Sequence, residues 1–444
     1  MAKIKVAEIF KTQGQPTFTY INRDEGAYEK RLSNAIDSKG LLCLLTGPSK
    51  TGKTTLYTKV ANSKKLQVLK VRCTTSLAAN DLWKIALEQV SFERIKQTQS
   101  QSESSISASG EISAAIGWSW LAGLIGKTGT AISQKTAESE IREKILSEVS
   151  PEHLLPILKN LPFLLVVEDF HYLSKETQIE IFQQWKTFID NEVSVVVVET
   201  THHSADIAFS NNDLVGRIAH IELGTWRLDD LKQIPRQGLK HFNLSMPERS
   251  LELLAQESAG LPIIMQQACL QMFLANDVTE LPTDRRLDLT ASTVYNALNQ
   301  VAIERYGSFG QVWDSLCRGP RKEARKYDTY ELVLSTFCLD PITFQLGREE
   351  IEPRLKKLPI PEGDVPPSGS VTSLLKALGS FQDKIGVQLL EWSENNRRLY
   401  ITEPSFLFYL RWREPKQRRS NPQEVLRAIL ENLRILEEYN LDKD

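Results

Sequence analysis

The chain has 444 residues, enough for two or three ordinary cores, and its 54 Lys and Arg nearly cancel 56 Asp and Glu, leaving a formal charge of −2. That balance excludes general electrostatic capture of nucleic acid, so any such affinity has to come from a local patch. Five scattered cysteines without a Cys-x-x-Cys pair exclude a disulfide framework or a zinc site of ordinary spacing, and they read as reduced thiols.

In chain order, the opening "MAKIKVAEIFKTQGQP" lacks the apolar run of a signal peptide, so a cytoplasmic location is expected. Five short apolar runs come next: "LLCLLT" from Leu41, "LQVLKVRC" from Leu66, "FLLVVED" from Phe163, "VSVVVV" from Val193 and "AHIEL" from Ala219. Helical patterns separate most of them, which predicts an α/β fold with three layers around a parallel sheet. This core spans 1–228 and carries an insertion at 92–140, Ser/Gln-rich at first and then poor in charge from Ile112 to Ile132. The second part nears the length of a membrane span. It is only mildly apolar and interrupts the core, so a partner-binding or self-assembly role is the better reading and membrane contact is not expected.

Beyond Trp226 the chain turns helical, giving an expected helical lid at 229–304 and a linker at 305–329. Residues 330–413 read as a winged-helix-like domain. "TYELVLSTFCL", "REEIEPRLKKL" and "SGSVTSLLKALGSFQDK" supply three helices, and "VQLLEWSENNRRLYI" forms a wing with Asn395, Asn396, Arg397 and Arg398 at its tip. The third helix offers Lys376, Gln382 and Lys384 as its long polar groups, a poor set for reading bases. The basic run "RWREPKQRRS" adds Arg411, Arg413, Lys416, Arg418 and Arg419, which suits either phosphate contact or a solvated linker, so 368–419 could contact DNA and the domain could equally dock a protein. The remainder, 414–444, combines that linker with an amphipathic helix capped by Asn421 and Glu424.

The stretch with clearest chemistry is "GPSKTGKT", which fits Gly-x-x-x-x-Gly-Lys-Thr from Gly47 to Thr54. Gly47 and Gly52 permit backbone angles that turn successive N–H groups toward a phosphate chain. Gly47, Pro48, Ser49, Lys50, Thr51, Gly52, Lys53, Thr54 and Thr55 are therefore the candidate nucleotide contacts. Lys53 would neutralise the outer phosphates, the Thr54 hydroxyl would ligate Mg²⁺, and the following helix turns its positive end to the anion.

A carboxylate is needed at the tip of a neighbouring strand, and "FLLVVEDFHYL" supplies Glu168 and Asp169. In the usual order the first acid holds magnesium and the second polarises the attacking water. Here the longer acid comes first, so position and side-chain length point to opposite assignments. The fourth strand ends at Thr200 and Thr201, either of which could bond the γ-phosphate or the lytic water. The neighbouring His202 and His203 have no further ligand at metal-site spacing.

With these features the chain resembles the AAA+/STAND group of P-loop ATPases with a C-terminal winged helix, such as the Orc/Cdc6-like and archaeal-type ATPases. "YINRDEGAYEKRLSNAI" is similar to the segment that packs near the adenine there, and "ESAGLPIIMQQACL" to the Gly-x-Pro start of the lid helix. "DLVGRIAHIEL" resembles the stretch carrying an arginine finger, which nominates Arg217 and implies a homo-oligomer formed on ATP binding. The arginine that many AAA+ relatives carry on the lid helix is missing, which favours STAND-like or transposition-regulator-like branches. The resemblance implies an ATP- and Mg²⁺-dependent switch or assembly ATPase with slow turnover. It further implies an effector protein as partner, in prokaryotic defence or mobile-element control. The alternative is an ATP-regulated DNA-binding protein acting through its winged helix, and a third reading is a nucleotide-binding scaffold with negligible hydrolysis.

Overall fold

The computed structural model describes residues 3–92, 116–125, 138–200, 214–281, 287–318 and 326–413. Thr201, His202, His203, the Ser/Gln-rich run and the C-terminal amphipathic helix lie outside these ranges. The chain divides into two units.

One unit comprises Gly26–Gly47 and Lys53–Glu222. Its elements are α1 (Ala27–Asp37), β1 (Leu42–Thr46), α2 (Lys53–Ser63), β2 (Gln67–Arg72), α3 (Ala79–Glu88), α4 (Trp118–Ile125) and α5 (Glu138–Ser147). Then come α6 (Pro151–Asn160), β3 (Phe163–Glu168), α7 (Lys175–Gln184), α8 (Lys186–Asp190), β4 (Val195–Val198) and β5 (Ile218–Glu222). The five predicted strands form one parallel sheet in the order β2-β3-β4-β1-β5. Every residue of β1, β3 and β4 is buried, which is why these strands read as unbroken apolar runs. Strand β4 stands between the loop strand β1 and the acid strand β3, the additional-strand arrangement of P-loop NTPases.

The aromatic core beneath the acid strand anchors the chain where that strand ends. Helix α3 buries Ala79, Leu82, Trp83, Ala86 and Leu87, the apolar stripe of an amphipathic helix. Trp83 donates its indole N–H to Gln184 Oε1 at 2.6 Å, and its ring lies 5.4 Å from Phe188. Phe170, fully buried directly after the two acids, stacks on Trp185 at 5.3 Å and meets Phe182 edge-on at 5.0 Å. The backbone just past Asp169 is thereby pinned to the core.

The other unit comprises Met1–Glu25, Pro48–Gly52 and Leu223–Asp444. After a four-residue helix at Val6–Ile9, its helices are α9 (Leu228–Lys240), α10 (Glu248–Glu257), α11 (Pro262–Leu274), α12 (Ala291–Tyr306) and α13 (Phe309–Arg318). Pro262 opens α11, where its missing N–H costs nothing. Gly260 before it has φ +72°, and a Cβ there would stand 2.8 Å from Thr225 Cγ2. Further along lie α14 (Thr329–Thr336), β6 (Gln345–Gly347), α15 (Arg348–Leu355), α16 (Ser368–Ile385), β7 (Leu390–Ser393), β8 (Arg398–Ile401) and α17 (Pro404–Trp412).

The expected three helices and hairpin are present in this stretch. A third strand, β6, pairs with β8 to give an antiparallel order β6-β8-β7. At three residues it was too short to show a pattern in the sequence. Three nominated nucleic-acid contacts are redirected inward. Gln382 is buried, donating to Leu390 O at 2.6 Å and accepting from the N–H groups of Leu389 and Leu390 at 3.0 Å. From the basic run, Arg411 is wholly buried on Glu257, and Arg413 lies 3.6 Å from Glu331 and 4.0 Å over the Trp313 ring.

Candidate functional site

Gly47 ends β1 with φ +132°, a conformation closed to other residues, and Lys53 opens α2. The Lys53 ammonium is buried and donates to the Gly47 carbonyl at 2.6 Å, so the lysine folds back along the loop that precedes it. One turn of helix carries the next two groups. Thr54 donates its hydroxyl to Glu168 Oε1 at 2.7 Å, and Tyr57 donates to the same oxygen at 3.0 Å.

The other oxygen of Glu168 faces β2. Lys70 Nζ stands 2.6 Å from Oε2 and Arg72 Nη2 3.4 Å, while Arg72 Nε reaches Asp169 Oδ2 at 3.2 Å. The sheet dictates this grouping, because Lys70 pairs with Val166 and Arg72 with Glu168 in parallel register. Alternate residues of a strand share a face, so Lys70 and Arg72 come up together beside the acid. Asp169 leaves the strand with φ +59°, a left-handed conformation that Asp tolerates better than most residues.

These surroundings separate the two carboxylates electrostatically. Burial pushes the Glu168 carboxyl up, yet the hydrogen bonds from Lys70, Thr54 and Tyr57 and the Lys70 charge together bring it below its ordinary value. Asp169 ends above its ordinary value, chiefly through burial and with the Glu168 charge assisting, although Arg72 opposes the shift. Burial likewise drives Tyr57 upward, supported by the Glu168 charge.

Thr200 lies just past β4, where its hydroxyl pairs with His171 Nε2 at 3.0 Å. Burial, then the Lys53 charge, lowers the His171 imidazole to about 4, so the ring is neutral at physiological pH. Arg217 is elsewhere. It immediately precedes β5, at the edge where the strands begin, and holds Asp190 Oδ1 at 2.7 Å. It is therefore not brought together with Lys53, Thr54 and the acids.

The middle of the loop, Pro48–Gly52, belongs to the other unit. Lys50 has φ +64° and Gly52 φ +102°. Lys50 Nζ meets Glu403 Oε1 at 2.9 Å and Ser405 Oγ at 2.8 Å, and the Ser49 N–H donates to Thr402 O at 3.3 Å. The Thr51 hydroxyl donates to Pro48 O at 2.9 Å, and the Thr51 carbonyl accepts from the Trp226 indole at 2.9 Å. The Arg23 guanidinium covers the Trp226 ring at 4.8 Å. Thr55 is half-buried in α2.

The donor set suits magnesium. Thr54 and Glu168 are hard oxygen groups in hydrogen-bond contact, and among the described residues no group of three or more His, Cys, Asp or Glu could hold a metal by itself. Magnesium takes one or two protein oxygens and completes its shell with phosphate and water, so these two residues would hold it. Tyr57, Lys70, Arg72, His171, Trp226 and Glu403 were not nominated from sequence. Only Lys70 and Arg72 left a signal there, as a Lys-x-Arg alternation inside an otherwise apolar strand.

No protein-family model matches the chain, and no curated protein does. Among solved structures it is similar to a Walker-type ATPase of Pyrococcus abyssi, with 16% identity, a TM-score of 0.47, and coverage of 91% of this chain and 99% of that one. It is also similar to a Cdc6 protein of Pyrobaculum aerophilum, with 13% identity, a TM-score of 0.40, and coverage of 98% of each chain. For the RuvB Holliday junction branch migration motor of Thermotoga maritima the values are 13%, 0.36, and coverage of 88% of this chain and 97% of that one. The sheet order and the glycine loop that follows β1 are those of the P-loop NTPase fold.

Proposed function

We propose that the chain is a magnesium-dependent ATP-binding and ATP-hydrolysing switch or assembly ATPase. The contact between Thr54 and Glu168, 2.7 Å across 114 residues of sequence, carries this reading. It brings the hydroxyl next to the loop lysine to a carboxylate at the tip of another strand. A loop that merely resembled the motif would have no reason to meet such an acid.

Each residue then has a task in phosphoryl transfer. Lys53, at the start of α2, neutralises the outer phosphates in company with the helix N-terminus. The Thr54 hydroxyl donates its hydrogen bond to Glu168, which leaves the oxygen's lone pairs for the metal, and the metal when bound would supply charge neutralisation at the phosphates. Asp169, whose carboxyl sits above its ordinary value, is suited to orient the attacking water and accept its proton. Thr200, held by the neutral His171, is available to hydrogen-bond the γ-phosphate or that water.

Lys53→Ala tests the reading directly. Titration with a ribose-labelled fluorescent ATP should show affinity falling by at least about 100-fold, the effect of losing a charge-assisted contact to phosphate, with the melting temperature retained. Equal affinity in wild type and variant would overturn the assignment.

A further inference from the structure

The carboxylate that meets Thr54 is already held by a cation. Of the four groups on Glu168, Lys70 is nearest at 2.6 Å, against 2.7 Å for Thr54, 3.0 Å for Tyr57 and 3.4 Å for Arg72. The side chains differ sharply in exposure, 37% for Lys70 and 5% for Glu168. The ammonium thus reaches in from solvent and covers the one oxygen that Thr54 and Tyr57 leave open. Its backbone is fixed as well. On this edge strand the Lys70 N–H donates to Gln89 Oε1 at 2.9 Å, and Gln89 Nε2 donates to Lys70 O at 2.6 Å.

Resting on the ATPase reading, we propose that Lys70 is a positioning residue that competes with the divalent cation for Glu168. Without metal it keeps the acid paired and aimed at Thr54, in place of a lone buried carboxylate. A second cation brought to the same carboxylate meets like-charge repulsion over a few ångströms in a partly desolvated site. Lysine suits the role because its compact charge rides on a flexible stem and can withdraw to water. The site consequently takes up metal together with nucleotide, whose phosphates offset the extra positive charge, and not alone.

The test is a magnesium titration of the full chain, in excess over a fixed trace concentration of ribose-labelled fluorescent ATP, read by anisotropy, for wild type, Lys70→Met and Lys70→Arg. Lys70→Met should lower the half-saturating magnesium concentration about fivefold, the range of a partly exposed charge interaction. Lys70→Arg, which keeps the charge, should return it to within twofold of wild type. An unchanged or higher midpoint in Lys70→Met, with a wild-type melting temperature, overturns the competitor role while leaving the ATPase reading intact. A wild-type chain that binds no nucleotide at any magnesium concentration overturns both.

Discussion

Glu168 and Asp169 leave β3 as neighbours in sequence and part company in chemistry. Sequence order assigned the first to magnesium and side-chain length assigned the second. We propose that order governs: the Glu168 carboxylate lies 2.7 Å from Thr54, while Asp169 leaves the strand at φ +59° and meets Arg72. Asp169→Asn should therefore retain magnesium-dependent nucleotide binding and lose turnover by about 10²- to 10⁴-fold, the usual worth of a positioned acid or base. Glu168→Gln should raise the magnesium concentration for half-maximal turnover and spare more of the maximal rate. Turnover measured across a magnesium series at saturating ATP checks both, and exchanged phenotypes would reassign the two acids.

At the scale of the element, legibility tracks burial. Strands covered on both faces have to be apolar throughout, so β1, β3 and β4 announced themselves, as did the glycine loop whose φ angles other residues cannot adopt. What sequence did not carry was register. Lys70 and Arg72 meet Glu168 because β2 and β3 pair at one particular offset across 96 residues, which no local pattern encodes. Gln382 shows a legible signal misread. It comes after Leu374, Leu375, Leu378 and Phe381 on the buried stripe of α16, and a polar group in that phase serves the backbone of the neighbouring strand.

Arg411 is a second case, a base in a basic run that turns out to be a core residue. Its guanidinium holds Glu257 through Nε at 3.2 Å and Nη2 at 2.7 Å, and donates from Nη1 to Cys338 O at 2.7 Å, joining α17 to α10. With both side chains buried, removing one partner strands the other's charge. Arg411→Ala should cost about 3–5 kcal/mol in urea unfolding, whereas Arg411→Met with Glu257→Leu should cost far less, because no buried charge remains. Equal losses in the single and double variants would mean that packing, not charge, sets the penalty.

For the whole molecule the deciding group is Arg217. β1 and β5 run parallel with Leu42 beside Ile218, so Arg217 stands where the strands begin and the loop after Thr46 where they end. The five residues of β1 between them span about 16 Å at ~3.3 Å each, beyond the reach of an arginine in the same chain. Its partner Asp190 does not tie it down firmly. The side chains are 44% and 47% exposed, and an ion pair of that kind contributes at most about 1 kcal/mol. An arginine held loosely at this edge can serve catalysis only in the site of a second copy, where it would stabilise charge on the transferred phosphoryl group. Arg217→Ala should accordingly bind ATP normally and lose turnover, as should Asp169→Asn for its separate reason. A mixed assembly can contain a site with an intact acid from one chain and an intact arginine from another, so mixing the two inactive proteins should restore part of the wild-type rate. Specific activity of the wild type should also rise with protein concentration. Turnover of Arg217→Ala at the wild-type rate, or no recovery in any mixture together with concentration-independent activity, would leave Arg217 as a surface ion pair and the chain as an ATPase that works alone.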